Sequence, residues 1–231
     1  MPANLQRPKP PNYSADLHDG RRDLQADAHF FFDTLFAGRS VLDVGAGHGI
    51  SKERVRHNYV TTYDVDARLA PFVDHAGPEM PSGAWDVVTA FDVIEHVEDD
   101  VAFARALDAR ARDAVFFTTP NWYVHECRST HHWREYTAAE MFSFALAIWP
   151  EELVRLCAFY KDRLGGWWEV LPRDAWERHA GLKHGVLVLK SQRDRARLDV
   201  QFNDRWNRAL PPASRRARAV EGEPDDVRMV L

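Results

Sequence analysis

Residues 41–50, VLDVGAGHGI, constrain this chain more than any other stretch. Val41, Leu42 and Val44 form the short apolar run of a central parallel strand, and the chain then breaks at Gly45, Gly47 and Gly49 into a turn that opens a helix. Glycines there let the backbone turn sharply and approach a ligand that any side chain would hold off. A strand, a glycine turn and a helix in that order cradle nucleotide-like cofactors in several folds. About 20 residues on, residues 59–66 read as a second strand with an acidic end, where a doubly wound sheet places a ribose-binding carboxylate. Asp64 is the expected ribose ligand, because an ionised carboxylate only accepts and can take both hydroxyls of one ribose.

Three further stretches follow: WDVVTAFDVIEHV at 85–97, VFFTTPN at 115–121 and HHWREYTAAEM at 131–141. With the glycine turn and Asp64 they resemble the class I S-adenosylmethionine-dependent methyltransferases, over roughly residues 28–190. The resemblance implies an α/β fold, a doubly wound, mostly parallel seven-stranded sheet of the Rossmann-like methyltransferase kind with an antiparallel edge strand. It implies S-adenosylmethionine as cofactor, held by Asp43, Gly45, Ala46, Gly47, Gly49, Asp64, Val65, Asp74, Phe91 and Asp92. Asp74 matches the position where the family contacts the adenine amino group, but it follows a shortened segment and reads equally as a solvated loop aspartate.

At 231 residues the chain has room for one domain with tails. Its 45% hydrophobic residues furnish a core, while no apolar run approaches the length of a membrane span. With no signal-peptide pattern at the N-terminus, the expectation is a cytoplasmic protein without a membrane partner. Cys127 and Cys157 are too few for a disulfide framework, and the net charge of −5 gives no overall attraction to RNA. The expected organisation is an extended arm at 1–20, a cofactor-binding methyltransferase domain at 21–190 and a charged tail with a surface helix at 191–231. Helices are expected over 21–36, 98–112 and 151–164, and after a Thr137–Glu140 capping box. The remaining strands are expected at 70–74, 85–91, 114–119, 167–171 and 185–190.

A sulfonium methyl group is already electrophilic, so such a site must hold a nucleophile in line and remove its proton if it carries one. Asp92, Glu95 and His96 fall just past the strand at 85–91, where cofactor and acceptor would meet, and they are the catalytic candidates. His96 suits a general base, although hydrogen bonds that order the strand end would also account for it. Trp122, Tyr123, His125, His132 and Trp133 line an acceptor pocket or belong to the core. Asp92, Glu95, His96 and His132 also resemble a divalent-ion site, for magnesium or manganese. Ubiquinone-pathway O-methyltransferases carry a similar segment, and small-RNA 3′-terminal ribose 2′-O-methyltransferases add the later histidine; Asp92 stands where both usually have glutamate. A zinc site from Cys127, His131 and His132 matches no standard spacing. The expected function is O-methylation of a small-molecule or glycan hydroxyl; the alternatives are a metal-assisted RNA ribose methyltransferase and a non-catalytic cofactor-binding subunit.

Overall fold

The structure, a computed structural model, describes residues 28, 29, 31–33, 35–122, 132–162, 165–171 and 181–201. Its strands are β1 (Ser40–Val44), β2 (Tyr59–Asp64), β3 (His75–Ala76), β4 (Trp85–Phe91), β5 (Ala111–Pro120), β6 (Val154–Asp162), β7 (Gly165–Val170) and β8 (Lys183–Leu189). Its helices are α1 (Ser51–Arg54), α2 (Asp100–Arg110), α3 (Ala138–Leu146) and α4 (Gln192–Gln201), and the described residues of 28–35 are helical. The strands form one sheet in the order β3-β2-β1-β4-β5-β8-β6-β7. The pairings β3 to β2, β2 to β1, β1 to β4 and β4 to β5 are parallel. β8 runs antiparallel to both β5 and β6, so β6 shares the direction of β1–β5, and β7 closes the edge antiparallel to β6.

Alternation along the strands sends side chains into two cores. Leu42, Val44, Val88, Ala90, Val115 and Phe117 pack on one face with Ala104 and Leu107 of α2 and Met141 and Ala145 of α3. Val41, Val87, Phe116, Leu187 and Leu189 pack on the other with Phe31, Phe32 and Leu35 of the N-terminal helical segment and Leu198 of α4. Both faces are covered, as a central parallel sheet requires. Asp99 caps α2 by accepting from Ala102 N at 2.9 Å. The expected capping box is present at α3: Thr137 Oγ1 accepts from Glu140 N at 3.2 Å, and Glu140 accepts from Thr137 N at 2.9 Å.

Two expected elements are corrected. The stretch 151–164 contains strand β6 where a helix was expected, which raises the strand count from seven to eight. β6 is buried on both sides, with Val154, Leu156 and Ala158 in one core and Cys157 and Phe159 in the other, so its alternation is hidden in an almost continuous apolar run. The third strand is not 70–74 but His75–Ala76, preceded by a single 3₁₀ turn at Ala67–Leu69. Asp74 instead binds back to β2, accepting from Thr62 N at 2.8 Å and from Thr62 Oγ1 at 2.9 Å. Among the described residues no helix is long and apolar enough to cross a membrane.

Candidate active site

The parallel strands deliver their C-terminal ends to one edge of the sheet, and the glycine turn sits there between β1 and α1. Gly45, Gly47 and Gly49 all have positive φ, at 74°, 56° and 68°, a region that disfavours any other residue. A Cβ on Gly45 would collide with the Val93 side chain, and one on Gly49 with the Phe72 carbonyl oxygen. Gly45 N and Ala46 N both donate to Tyr63 O, at 2.8 and 3.1 Å, which pins the turn to the end of β2. Asp64 completes the attachment: its carboxylate accepts from Gly47 N and from Asp66 N, each at 2.9 Å. Beside it Val65 and Phe72 expose apolar surface, and the Phe72 ring meets His48 edge-on at 4.8 Å. The residues present therefore fit a bound nucleoside: a close-approach cradle, a carboxylate for a ribose and an apolar wall for a base.

Asp43 lies buried beneath the turn, accepting from Thr89 Oγ1 at 2.8 Å. Burial pushes its carboxyl up to about 6, against the lowering effect of the Ser51 and Thr89 hydroxyls and with a further rise from the Asp64 charge. Asp74 is held below the usual carboxylate range: its hydrogen bonds from Lys52 and Thr62 outweigh its desolvation, the largest single effect. Phe91 is packed in the core against His29 and Phe116, with ring centroids at 4.9 and 5.5 Å.

Beyond β4 the chain takes a 3₁₀ turn at Ile94–His96 and brings three expected residues together. Glu95, His96 and His132 each offer a ligand atom within 4.8 Å of the others. The His96 and His132 rings meet edge to face at 4.8 Å, and His96 Nε2 lies 4.0 Å from Glu95 Oε1. His132 is carried over this turn because Trp133 N donates to Glu95 O at 2.7 Å, while Asp100 at the start of α2 accepts from Tyr136 OH at 2.7 Å and pairs with Arg134. Trp122 N donates to Tyr136 O at 3.1 Å, which ties the end of β5 to the same segment. Tyr123, His125, Cys127 and His131 lie outside the described residues.

The structure adds two residues that the sequence reading did not single out. Glu135 Oε1 lies 2.9 Å from His132 Nδ1, a contact through which a carboxylate orients the ring by accepting from Nδ1–H. Lys183, from β8, pairs with Asp92 Oδ2, and Thr118 Oγ1 donates to Asp92 Oδ1 at 3.1 Å. Asp92 is thus not a member of the Glu95–His96–His132 cluster. One carboxylate and two imidazoles make a donor set suited to manganese or zinc better than to magnesium.

The sequence model of the methyltransferase domain matches residues 17–147, more than half of the chain. The ubiquinone biosynthesis O-methyltransferase of Bordetella parapertussis is 33% identical over 108 residues, covering 37% of this chain and 44% of that protein. The match therefore spans less than half the length of such a relative. In structure, the fold resembles a Thermotoga maritima protein described as an S-adenosylmethionine-dependent methyltransferase and possible histamine N-methyltransferase. The TM-score is 0.55 at 10% identity, over 76% of this chain and 96% of that one. It also resembles the plantazolicin methyltransferase BpumL, solved with S-adenosylhomocysteine, with a TM-score of 0.53 at 14% identity over 77% and 88% of the two chains. By this match, and in keeping with its glycine cradle, Asp64 and sheet order, the chain belongs to the methyltransferase domain family, in its class I, S-adenosylmethionine-dependent form.

Proposed function

We propose that this chain transfers the methyl group of S-adenosylmethionine to a hydroxyl oxygen of a small molecule or glycan. The observation that carries the reading is the oriented histidine pair just past β4, where His132 is held by Glu135 through Nδ1 and meets His96 at 4.8 Å. The cofactor supplies a methyl group already activated by its positive sulfur. The chain's part is to orient the acceptor and take the hydroxyl proton, a task for an imidazole whose ordinary pKa lies near neutrality. His96 is the proposed base, and His132 with Glu135 orients it and the acceptor. The relatives named as O-methyltransferases support oxygen as the target.

A second reading is favoured by the cluster itself: Glu95, His96 and His132 would hold a divalent ion, whose charge would ease the loss of a hydroxyl proton, including that of an RNA ribose. The test is to incubate purified protein with methyl-labelled cofactor and a fractionated cell extract, with manganese or with chelator. The first reading expects chelator-resistant label in small-molecule or glycan fractions. Chelator-sensitive label confined to RNA would overturn it in favour of the second.

A further inference from the structure

Asp92 is the one described non-glycine residue with positive φ, at 55°, and this turn swings it out of β4 at the C-terminal edge of the sheet. Its backbone N donates to Thr118 O and to Thr118 Oγ1, each at 3.1 Å, so its position is fixed from β5. Lys183 arrives from the opposite direction. Because β8 is antiparallel to β5, its first residue pairs with Pro120, the last of β5, and so stands at the same edge as the glycine turn. By alternation Lys183 shares the face of Gly185, Leu187 and Leu189, the face covered by the N-terminal helical segment. Gly185 lets β8 press close there, since a Cβ would come within 3.0 Å of both Phe116 Cε2 and Phe117 O.

The Lys183 side chain is only 9% exposed. An ammonium has three N–H donors, and among the described residues Lys183 makes one hydrogen bond, to Asp92. A second polar group on this face is also unanswered. His29, buried in the N-terminal helical segment, packs on Phe91, the residue before Asp92, and its Nδ1 has no hydrogen-bond partner among the described residues. Burial, the largest cause, lowers the pKa of His29 to about 3, with smaller contributions from Arg54, Asp92 and Lys183. Buried donors without acceptors are costly, so this place is built for a polar ligand atom rather than an apolar one. A hydroxyl both donates and accepts, which suits an ammonium and an imidazole together.

We propose that Lys183, Asp92 and His29 form an acceptor-oxygen subsite, in which the Lys183 ammonium donates a hydrogen bond to the acceptor oxygen as negative charge develops on it. The inference rests on the hydroxyl-methylation reading. In the step it serves, an oxygen lone pair forms the O–CH₃ bond, the S–CH₃ bond breaks with its pair passing to sulfur, and the hydroxyl proton passes to an imidazole nitrogen of the His96–His132 pair. Asp92 balances the lysine's charge, so the pair brings a donor to the oxygen without adding net positive charge beside the sulfonium.

The test uses a nitrocatechol, whose phenolate form absorbs visible light, bound to the full chain saturated with S-adenosylhomocysteine. Removing Lys183 alone leaves the buried Asp92 carboxylate without that cation, which can unfold the site, so K183M is read beside K183M/D92N, which leaves neither charge. The wild-type chain is expected to strengthen the acidity of the bound probe about tenfold or more, the effect of one neighbouring cation. The double variant should lose that shift while still binding S-adenosylhomocysteine. An equal shift in the double variant, no shift in the wild-type chain, or a loss of S-adenosylhomocysteine binding as large as the loss of the probe effect would each overturn the subsite. The parent reading fails separately: methyl transfer only to nitrogen acceptors refutes it, whereas oxygen methylation at the wild-type rate by K183M/D92N refutes the subsite alone.

Discussion

Replacing Asp64 with alanine should disable the cofactor site more than it disables the fold. An ionised carboxylate offers about four lone-pair positions. Two of those on Asp64 are taken by Gly47 N and Asp66 N, each at 2.9 Å, and two remain for the two hydroxyls of a ribose. A hydrogen bond to a charged group contributes about 1.5–3 kcal/mol, so losing two removes about 3–6 kcal/mol, roughly a hundredfold or more in affinity. The fold loses less. Gly47 N is left without its acceptor, at about 1–3 kcal/mol, whereas Asp66 is partly exposed and water can replace the bond it loses. Calorimetric titration of S-adenosylhomocysteine into the wild-type, Asp64→Ala and Asp64→Asn chains, with urea unfolding of each, separates the two effects. Asparagine keeps one acceptor oxygen and should fall between the other two. Undiminished affinity in an alanine variant that unfolds at the wild-type urea concentration would refute the ribose assignment.

Asp43 ionises in the folded chain only near pH 6, against about 3.9 when unfolded, so the native state holds the extra proton between those values and its contribution to stability falls as pH rises through that window. Asp43→Asn should therefore unfold later than wild type at pH 7.5, by about 2–3 kcal/mol, and lose that advantage near pH 4, as urea melts at the two pH values would show. Glu135→Gln should lower kcat about tenfold or more while leaving S-adenosylhomocysteine binding intact, because it releases the tautomer of His132; an unchanged kcat would remove Glu135 from the mechanism. Chelation should leave methylation of small-molecule hydroxyls unchanged, since His96 takes the proton there without the help of an ion, and a chelator-sensitive rate in that fraction would contradict this.

The glycine turn and β1 were legible in the sequence because each rests on local residues: three glycines that only positive φ explains, and an apolar run too short for a helix. The gathering of Glu95, His96 and His132 was legible through resemblance, since nothing in their spacing alone joins residues 36 positions apart. β6 was not legible, because burial on both faces erases the alternation that marks a strand. Asp74 was read through resemblance as the residue that meets the adenine, and what the sequence did not show is that its carboxylate also accepts from Thr62 and Lys52. Lys183 gave no signal at all. It lies 91 residues from Asp92, and only the antiparallel return of β8 brings the two together.

The central claim is that this chain places a methyl group on oxygen with His96 taking the proton. The most direct measurement is carbon NMR of the product formed from isotopically labelled cofactor by the wild-type chain and by His96→Ala, alongside S-adenosylhomocysteine affinity for both. An O-methyl product from wild type, with turnover lost in His96→Ala and affinity retained, is the predicted result. Label on nitrogen or carbon, or an undiminished rate in His96→Ala, would contradict it.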